Sequence, residues 1–183
     1  MRRLTTIALS SLTMIVGGCA TKDMATGSAG TPAAGSATAA LRDAGGASKG
    51  MATVSQTVEG VRVVVEATGL TPGAHGLHFH TVGRCDPPDF ASAGAHWNPT
   101  GKMHGRDNPA GLHWGDLPNL IVGTDGSGRL EATISGAKLG SGSTPLLDAD
   151  GAAIMIHAAA DDYKTDPSGN SGARVACGVF IGS

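Results

Sequence analysis

Apolar and polar residues alternate with a period of two along several short stretches of the chain. That spacing puts one face of a β-strand against a core and the other in water. Residues 37–42, 51–58 and 61–66 read as three strands of a meander, the last a β-branched run, Val61-Arg62-Val63-Val64-Val65-Glu66, that favours extended backbone. Turn signals separate them, Asp43-Ala44-Gly45-Gly46 after the first and Glu59-Gly60 after the second. The same reasoning predicts strands at 76–80, 117–122, 128–135, 152–157 and 173–180, with Asp125-Gly126 and Asp150-Gly151 marking two of the turns. Beyond the first 18 residues no segment sustains the 3.6-residue period of an amphipathic helix. The pattern predicts an all-β domain of eight strands, in which 81–116 is one long connection without period of either kind. A connection of that length inside a compact domain is normally functional.

Composition agrees with this picture. Glycine supplies 29 of 183 residues, aromatics only 3% and charged residues 15%, a profile of short strands and tight turns rather than long helices. The formal net charge is −2 and the basic residues are scattered, so no stripe exists to neutralise a row of phosphates and a nucleic-acid partner is excluded.

The start of the chain reads as an address. Arg2 and Arg3 precede an apolar run over 4–16, which falls short of the roughly 20 residues a membrane-spanning helix needs. Val16-Gly17-Gly18-Cys19-Ala20 resembles a bacterial lipobox, which implies a signal peptide over 1–18 and a lipidated N-terminal Cys19. Ala20, with no Asp at that position, matches the pattern of outer-membrane lipoproteins, so the expected location is the periplasm, anchored to the outer membrane. Residues 19–35, rich in Ala, Gly, Ser and Thr, form a tether, and 36–183 form the domain. Without residues 1–18, eleven basic side chains face fifteen acidic ones, a net −4.

The histidines carry the candidate chemistry. In His78-Phe79-His80 two imidazoles at i and i+2 of a strand share a face, roughly 6.6 Å apart, close enough for both to reach one metal ion. His96, His104 and His113 follow in the long connection, with Asp116 three residues beyond the last; three imidazoles and a carboxylate make a complete tetrahedral set for zinc. His157 ends the apolar run Ala153-Ile154-Met155-Ile156, where a buried imidazole needs a partner. His75, beside the Pro72-Gly73 turn, is read as an ordinary hydrogen-bonded histidine. Spacing alone thus reaches a metal site in a secreted β protein.

Five ordered motifs then resemble the copper/zinc superoxide dismutases: Gly76-Leu77-His78-Phe79-His80, Gly83-Arg84-Cys85, Gly94-Ala95-His96-Trp97-Asn98-Pro99, His113-Trp114-Gly115-Asp116-Leu117 and Gly172-Ala173-Arg174-Val175-Ala176-Cys177-Gly178. The resemblance covers about 36–183 and implies an eight-stranded Greek-key β-barrel of the immunoglobulin-like sandwich type, a class in which this enzyme is a standard member. It implies copper bound by His78, His80, His96 and His157, and zinc by His96, His104, His113 and Asp116, with His96 shared. It further implies a catalytic Arg174 that binds superoxide, a Cys85–Cys177 disulfide, and Asp161, with Asp162 as the adjacent alternative, linking a copper-bound to a zinc-bound imidazole. Lys164 is a candidate for attracting the anion.

The segment between His157 and Arg174 is shorter than in the eukaryotic enzymes and, with the secretion signal, looks like the bacterial periplasmic branch, whose members are monomers or homodimers. Trp97 stands where Phe is more usual, a change expected to affect packing only. Three rival readings remain at this point, one of them a purely structural metal protein that is never loaded with copper. A periplasmic copper/zinc storage or delivery protein would use the same ligands without needing Arg174, and a zinc hydrolase would need an open zinc position that four protein ligands close.

Overall fold

The computed structural model describes residues 35–182, with side chains to Phe180; the expected signal peptide, Cys19 and all but the last residue of the tether lie outside the described residues. Ten strands make one antiparallel sheet: β1 (Ser36–Arg42), β2 (Ser48–Gln56), β3 (Gly60–Ala67), β4 (Gly73–His75), β5 (Leu77–His80), β6 (Leu120–Val122), β7 (Gly128–Ser135), β8 (Ala153–His157), β9 (Arg174–Val179) and β10 (Ile181–Gly182). Their order is β4-β6-β7-β3-β2-β1-β9-β8-β5, with β10 paired to β1. The two ends of that order, β4 and β5, are consecutive in the chain with only Gly76 between them, so the sheet closes into a barrel. The chain passes from β3 to β4 over β6 and β7, the Greek-key connection.

All eight expected strands recur with ends shifted by at most three residues, that at 76–80 as β5; β4 and β10 are two further short strands. Gly76 lies between the pairing of β4 with β6 and that of β5 with β8. The strand expected at 117–122 starts only at Leu120, because Pro118 has no N–H to give a ladder.

Alternation sets the core. Ala37, Ala39 and Leu41 of β1, Val61, Val63 and Val65 of β3, and Leu77 and Phe79 of β5 all point into the barrel and are fully buried. β8 is apolar without alternation because both of its faces are covered. Ile154 and Ile156 join the barrel core, while Ala153 and Met155 pack with Phe90, Ala93 and the Cys85–Cys177 pair under the long connection.

That connection lies along β5. Trp97 N–H donates to Phe79 C=O at 2.8 Å, Phe79 N–H to Gly115 C=O at 2.9 Å, and Gly115 N–H to Trp97 C=O at 2.8 Å. Three backbones meet so closely at Gly115 that a Cβ there would stand 2.6 Å from Phe79 O and 2.9 Å from Trp97 N. Trp97 itself is a core residue, its ring 5.3 Å from that of Trp114. The effect is to carry residues near 96 and 116 up to His78 and His80.

Cys85 and Cys177 are joined, as the resemblance implies, across a sequence separation of 92 residues. Closing a loop of that length removes roughly 4–5 kcal/mol of unfolded-chain entropy in the ideal case. Reducing the bond, or Cys85→Ser, should therefore lower stability by about 2–4 kcal/mol and depress the melting temperature; an unaltered melting temperature after verified reduction would contradict this.

Candidate metal centre

The β5 pleat that sends Leu77 and Phe79 inward sends His78 and His80 to the other face, where the long connection covers them to 0% and 1% exposure. On neighbouring β8 the ladder to β9 shifts register between Ile156 and His157, a bulge that re-aims the imidazole beside them. His96 arrives from the connection through its bridge to His80. The ring of His96 stacks on that of His78 at 4.0 Å, and His157 stands edge-on to His78 at 4.8 Å.

One nitrogen from each of His78, His80, His96 and His157 lies within 4.8 Å of the other three. Hydrogen bonds at the far side of the rings fix which nitrogen this is. His78 Nε2–H donates to Asp161 Oδ2 at 2.7 Å, His80 Nδ1–H to Gly94 C=O at 2.9 Å, and His157 Nδ1–H to Gly172 C=O at 3.1 Å. The inward atoms, His78 Nδ1 and Nε2 of His80, His96 and His157, are buried and have no hydrogen-bond partner among the described residues. Buried polar atoms are nearly always satisfied. Four unpaired lone pairs converging on one point therefore fit a metal ion, and an all-imidazole set suits copper.

A second cluster surrounds the Asp116 carboxylate. Its Oδ1 lies 2.9 Å from His96 Nδ1 and 3.1 Å from Nδ1 of both His104 and His113. Those separations are close to the edges, about 3.3 Å, of a tetrahedron with zinc–ligand bonds of 2.0–2.1 Å. His104 Nδ1 is near Oδ1 yet out of line for a hydrogen bond, and so is a fifth buried unpaired nitrogen. Oδ2 is held by the backbone N–H groups of Gly105 at 2.9 Å and His113 at 3.0 Å. Ligand atoms of His78, His96, His104 and Asp116 also lie within 4.8 Å of one another. His78 nonetheless belongs to the first cluster, since Asp161 occupies its Nε2 and its Nδ1 faces the other three imidazoles. The donor set of this cluster fits zinc, and His96 alone addresses both, Nδ1 to one and Nε2 to the other.

Asp161 joins the clusters from behind: Oδ2 accepts from His78, and Oδ1 accepts from His104 Nε2–H at 3.0 Å. Asp162 is exposed and accepts instead from Thr165 and Asn170. Gly169, at φ 64, leaves the space the carboxylate needs; a Cβ there would stand 1.8 Å from Asp161 Oδ1.

Burial penalises charge on the inward imidazoles. It pulls His78 down to about 3, His80 to about 2 and His157 to about 4, with neighbouring imidazoles adding to the effect, so these rings are neutral at neutral pH. Burial pulls on His104 too, but the Asp116 carboxylate 3.1 Å away and the hydrogen bond to Asp161 outweigh it and carry the ring up to about 9. Both carboxylates are held far below the usual range by the imidazoles and backbone N–H groups around them, against the opposing pull of burial.

Arg174 stands opposite His157 in the β8–β9 ladder. Its Nη1 and Nη2 donate to Phe90 C=O at 2.6 Å and Gly94 C=O at 2.9 Å, and the residue lines a cleft with Pro88, Asp89 and Ala173. Burial lowers its pKa and the Asp89 charge opposes that; the guanidinium remains a cation. Gly94 C=O thus holds both a His of the first cluster and the arginine. Lys164 is exposed, and its backbone C=O accepts from Asn108. His75 is buried with Nδ1 2.6 Å from His157 O and Nε2 2.8 Å from Thr71 O, so both nitrogens are occupied outside the clusters.

Sequence reasoning missed the carbonyls of Gly94 and Gly172, which orient His80 and His157, and it missed Asn119 and Tyr163, which bond Asp161. Carbonyls are common to every residue and leave no mark in a sequence. Asn119, three residues after Asp116, was the one visible signal.

A family model described as copper/zinc superoxide dismutase (SODC) matches residues 48–180. A protein named superoxide dismutase [Cu-Zn] from Caulobacter vibrioides is 45% identical over 148 residues, 79% of this chain and 85% of the relative. Another of that name from Deinococcus radiodurans is 45% identical over 152 residues, 76% and 81% of the two chains. Among solved structures, a SOD-like protein from Bacillus subtilis, in a double mutant carrying two introduced histidines, aligns with a TM-score of 0.76 at 44% identity, over 79% of this chain and 97% of that one. The Cu/Zn superoxide dismutase of Brucella abortus aligns with a TM-score of 0.63 at 29% identity, over 80% and 99%.

The lowered imidazoles make a pH prediction for the metal-free protein. His78, His80 and His157 stay neutral in the folded state down to about pH 4 but take protons near 6.5 when unfolded, so their contribution is lost as pH falls below 6.5. His104, raised to about 9, contributes fully below 6.5 and does not offset the loss in this window. Urea unfolding of the metal-free, disulfide-intact protein should show stability falling by on the order of a few kcal/mol between pH 7 and pH 5, whereas constant stability would contradict neutral buried imidazoles.

Proposed function

The chain belongs to the copper/zinc superoxide dismutases, and on that premise we propose that it disproportionates superoxide by copper redox cycling at the four-imidazole cluster, in the periplasm. It is an oxidoreductase that binds copper and zinc. The observation that carries the finer reading is the pair of clusters meeting at His96, with five buried nitrogens that have no hydrogen-bond partner among the described residues.

Copper would be held by His78 Nδ1 and by Nε2 of His80, His96 and His157, and zinc by Asp116 Oδ1 and Nδ1 of His96, His104 and His113. Two superoxide anions and two protons yield one dioxygen and one hydrogen peroxide, so one anion loses an electron and the other gains it. Bound copper supplies that one-electron exchange and bound zinc a fixed positive charge.

The chain's own residues do the rest. Arg174, anchored on two carbonyls where it lines the cleft, binds and orients the incoming anion by charge-assisted hydrogen bonds. His96 Nε2 takes up and gives back a proton, while its Nδ1 stays bound on the Asp116 side. Asp161 holds His78 and His104 in one tautomer and one orientation. The mature chain is net negative, so the local positive field at the cleft falls to Arg174 and the metals, with Lys164 an exposed auxiliary.

For location, Arg2, Arg3, the apolar run over 4–16 and Cys19 support a cleaved, lipidated precursor whose Ala/Gly/Ser/Thr tether over 19–35 holds the domain, 36–183, at the outer membrane. The Cys85–Cys177 disulfide is in keeping with an oxidising compartment. A monomer or a homodimer satisfies the site equally, since every ligand comes from one chain.

The direct test is superoxide decay by the purified protein with and without copper, alongside metal analysis. Copper-dependent decay is expected; uptake of both metals without decay would favour storage or delivery. His157→Ala should abolish turnover while about one zinc per chain is retained, and full activity in that variant would remove the copper assignment. Arg174→Ala should slow the reaction roughly tenfold at low salt and flatten its dependence on ionic strength; unchanged low-salt kinetics would contradict its role.

A further inference from the structure

Asp161 bonds the rings of both clusters, and something must hold it midway. Asn119, the residue before β6, clasps its backbone from two sides: Asn119 Oδ1 accepts Asp161 N–H at 2.8 Å, and Asn119 Nδ2–H donates to Asp161 C=O at 2.9 Å. The backbone N–H of Asn119 donates to Tyr163 Oη at 2.7 Å, and the backbone N–H of Tyr163 donates to Asp161 Oδ1 at 2.7 Å. Four hydrogen bonds thus close a ring through three residues.

Tyr163 is itself held from elsewhere. Its backbone sits at φ 63, a left-handed conformation unfavourable for a tyrosine, and persists because the surroundings over-determine it. The Arg106 guanidinium lies 3.8 Å over its ring, and its C=O accepts Asp107 N–H at 3.0 Å. Arg106 and Asp107 directly follow Gly105, whose N–H holds Asp116 Oδ2. The clasp therefore spans the segment that carries His104, the start of β6 and the Asp161 carboxylate.

We propose that Asn119 and Tyr163 are positioning residues that fix the Asp161 carboxylate between His78 and His104, and that they thereby set zinc affinity and its coupling to the copper cluster. The inference rests on the metal-centre reading above. Zinc at the Asp116 cluster fixes His104, whose Nε2–H donates to Asp161, which in turn orients His78. A carboxylate free to pivot would transmit less of that constraint, and by linkage the loss is the same read from either metal.

Asn119→Ala removes both backbone bonds and risks the fold, so Tyr163→Phe, which removes only the hydroxyl, carries the test. Metal-free, disulfide-intact protein is titrated with zinc against a competing chelator, and with cobalt as a spectroscopic stand-in at the same cluster. Wild-type protein that bound neither metal would overturn the metal-centre reading itself, and this inference with it.

Tyr163→Phe is expected to weaken zinc roughly fivefold, the equivalent of one hydrogen bond. It should also shift the cobalt visible bands and leave the metal-free melting temperature near that of wild type. In an Asp161→Ala background the same substitution should have no further effect on zinc, because its target is gone. Wild-type zinc affinity and cobalt spectrum in Tyr163→Phe would overturn the proposal. So would a full effect persisting in the Asp161→Ala background.

Discussion

The arrangement turns on a single imidazole that faces two ways. His96 Nδ1 lies 2.9 Å from Asp116 Oδ1, and its Nε2 is buried beside three other imidazoles with no hydrogen-bond partner among the described residues. A ring with one committed nitrogen can belong to one site; a ring with both committed makes two sites into one. The remainder of the fold holds that ring in place. The closeness of backbones at Gly115, the backbone bonds of Trp97 and the ladder of β5 bring residue 96 against His78 and His80 to within ring-stacking distance.

The barrel supplies rigidity, and the long connection supplies chemistry. Neither suffices alone, because the connection contributes His96, His104, His113 and Asp116 while the strands contribute His78, His80 and His157. The disulfide and Arg174 fasten the early part of the connection to β9, and Gly94 C=O ties that same part to His80. Electrostatics follow from this packing. Burial keeps the four-imidazole cluster neutral, whereas the two carboxylates around His104 hold charge at the other, so the sites differ in their demand before any ion arrives.

Much of this was legible in the sequence, for identifiable reasons. The β-branched alternation of 61–66 and the H-x-H of 78–80 report local geometry directly, so β3, β5 and the shared face of His78 and His80 follow from period alone. The pairing of Cys85 with Cys177, the shared His96, and the parts of Arg174 and Asp161 came from resemblance to a family, not from spacing, since contacts across 80 or more residues leave no local period. The handover of pairing at Gly76, the orienting carbonyls of Gly94 and Gly172, and the Asn119–Tyr163 clasp were not legible. They depend on where backbones meet in space, and any residue type offers the same carbonyl.

The most direct test of the shared imidazole is a crystal structure of the copper- and zinc-loaded protein with each metal located by its own anomalous scattering. The account predicts two ions, with His96 Nε2 and Nδ1 each about 2.0–2.1 Å from a different one, copper on the His78 side and zinc on the Asp116 side. Two ions with His96 bound to only one of them, or a single ion taking both clusters' ligands, would contradict it.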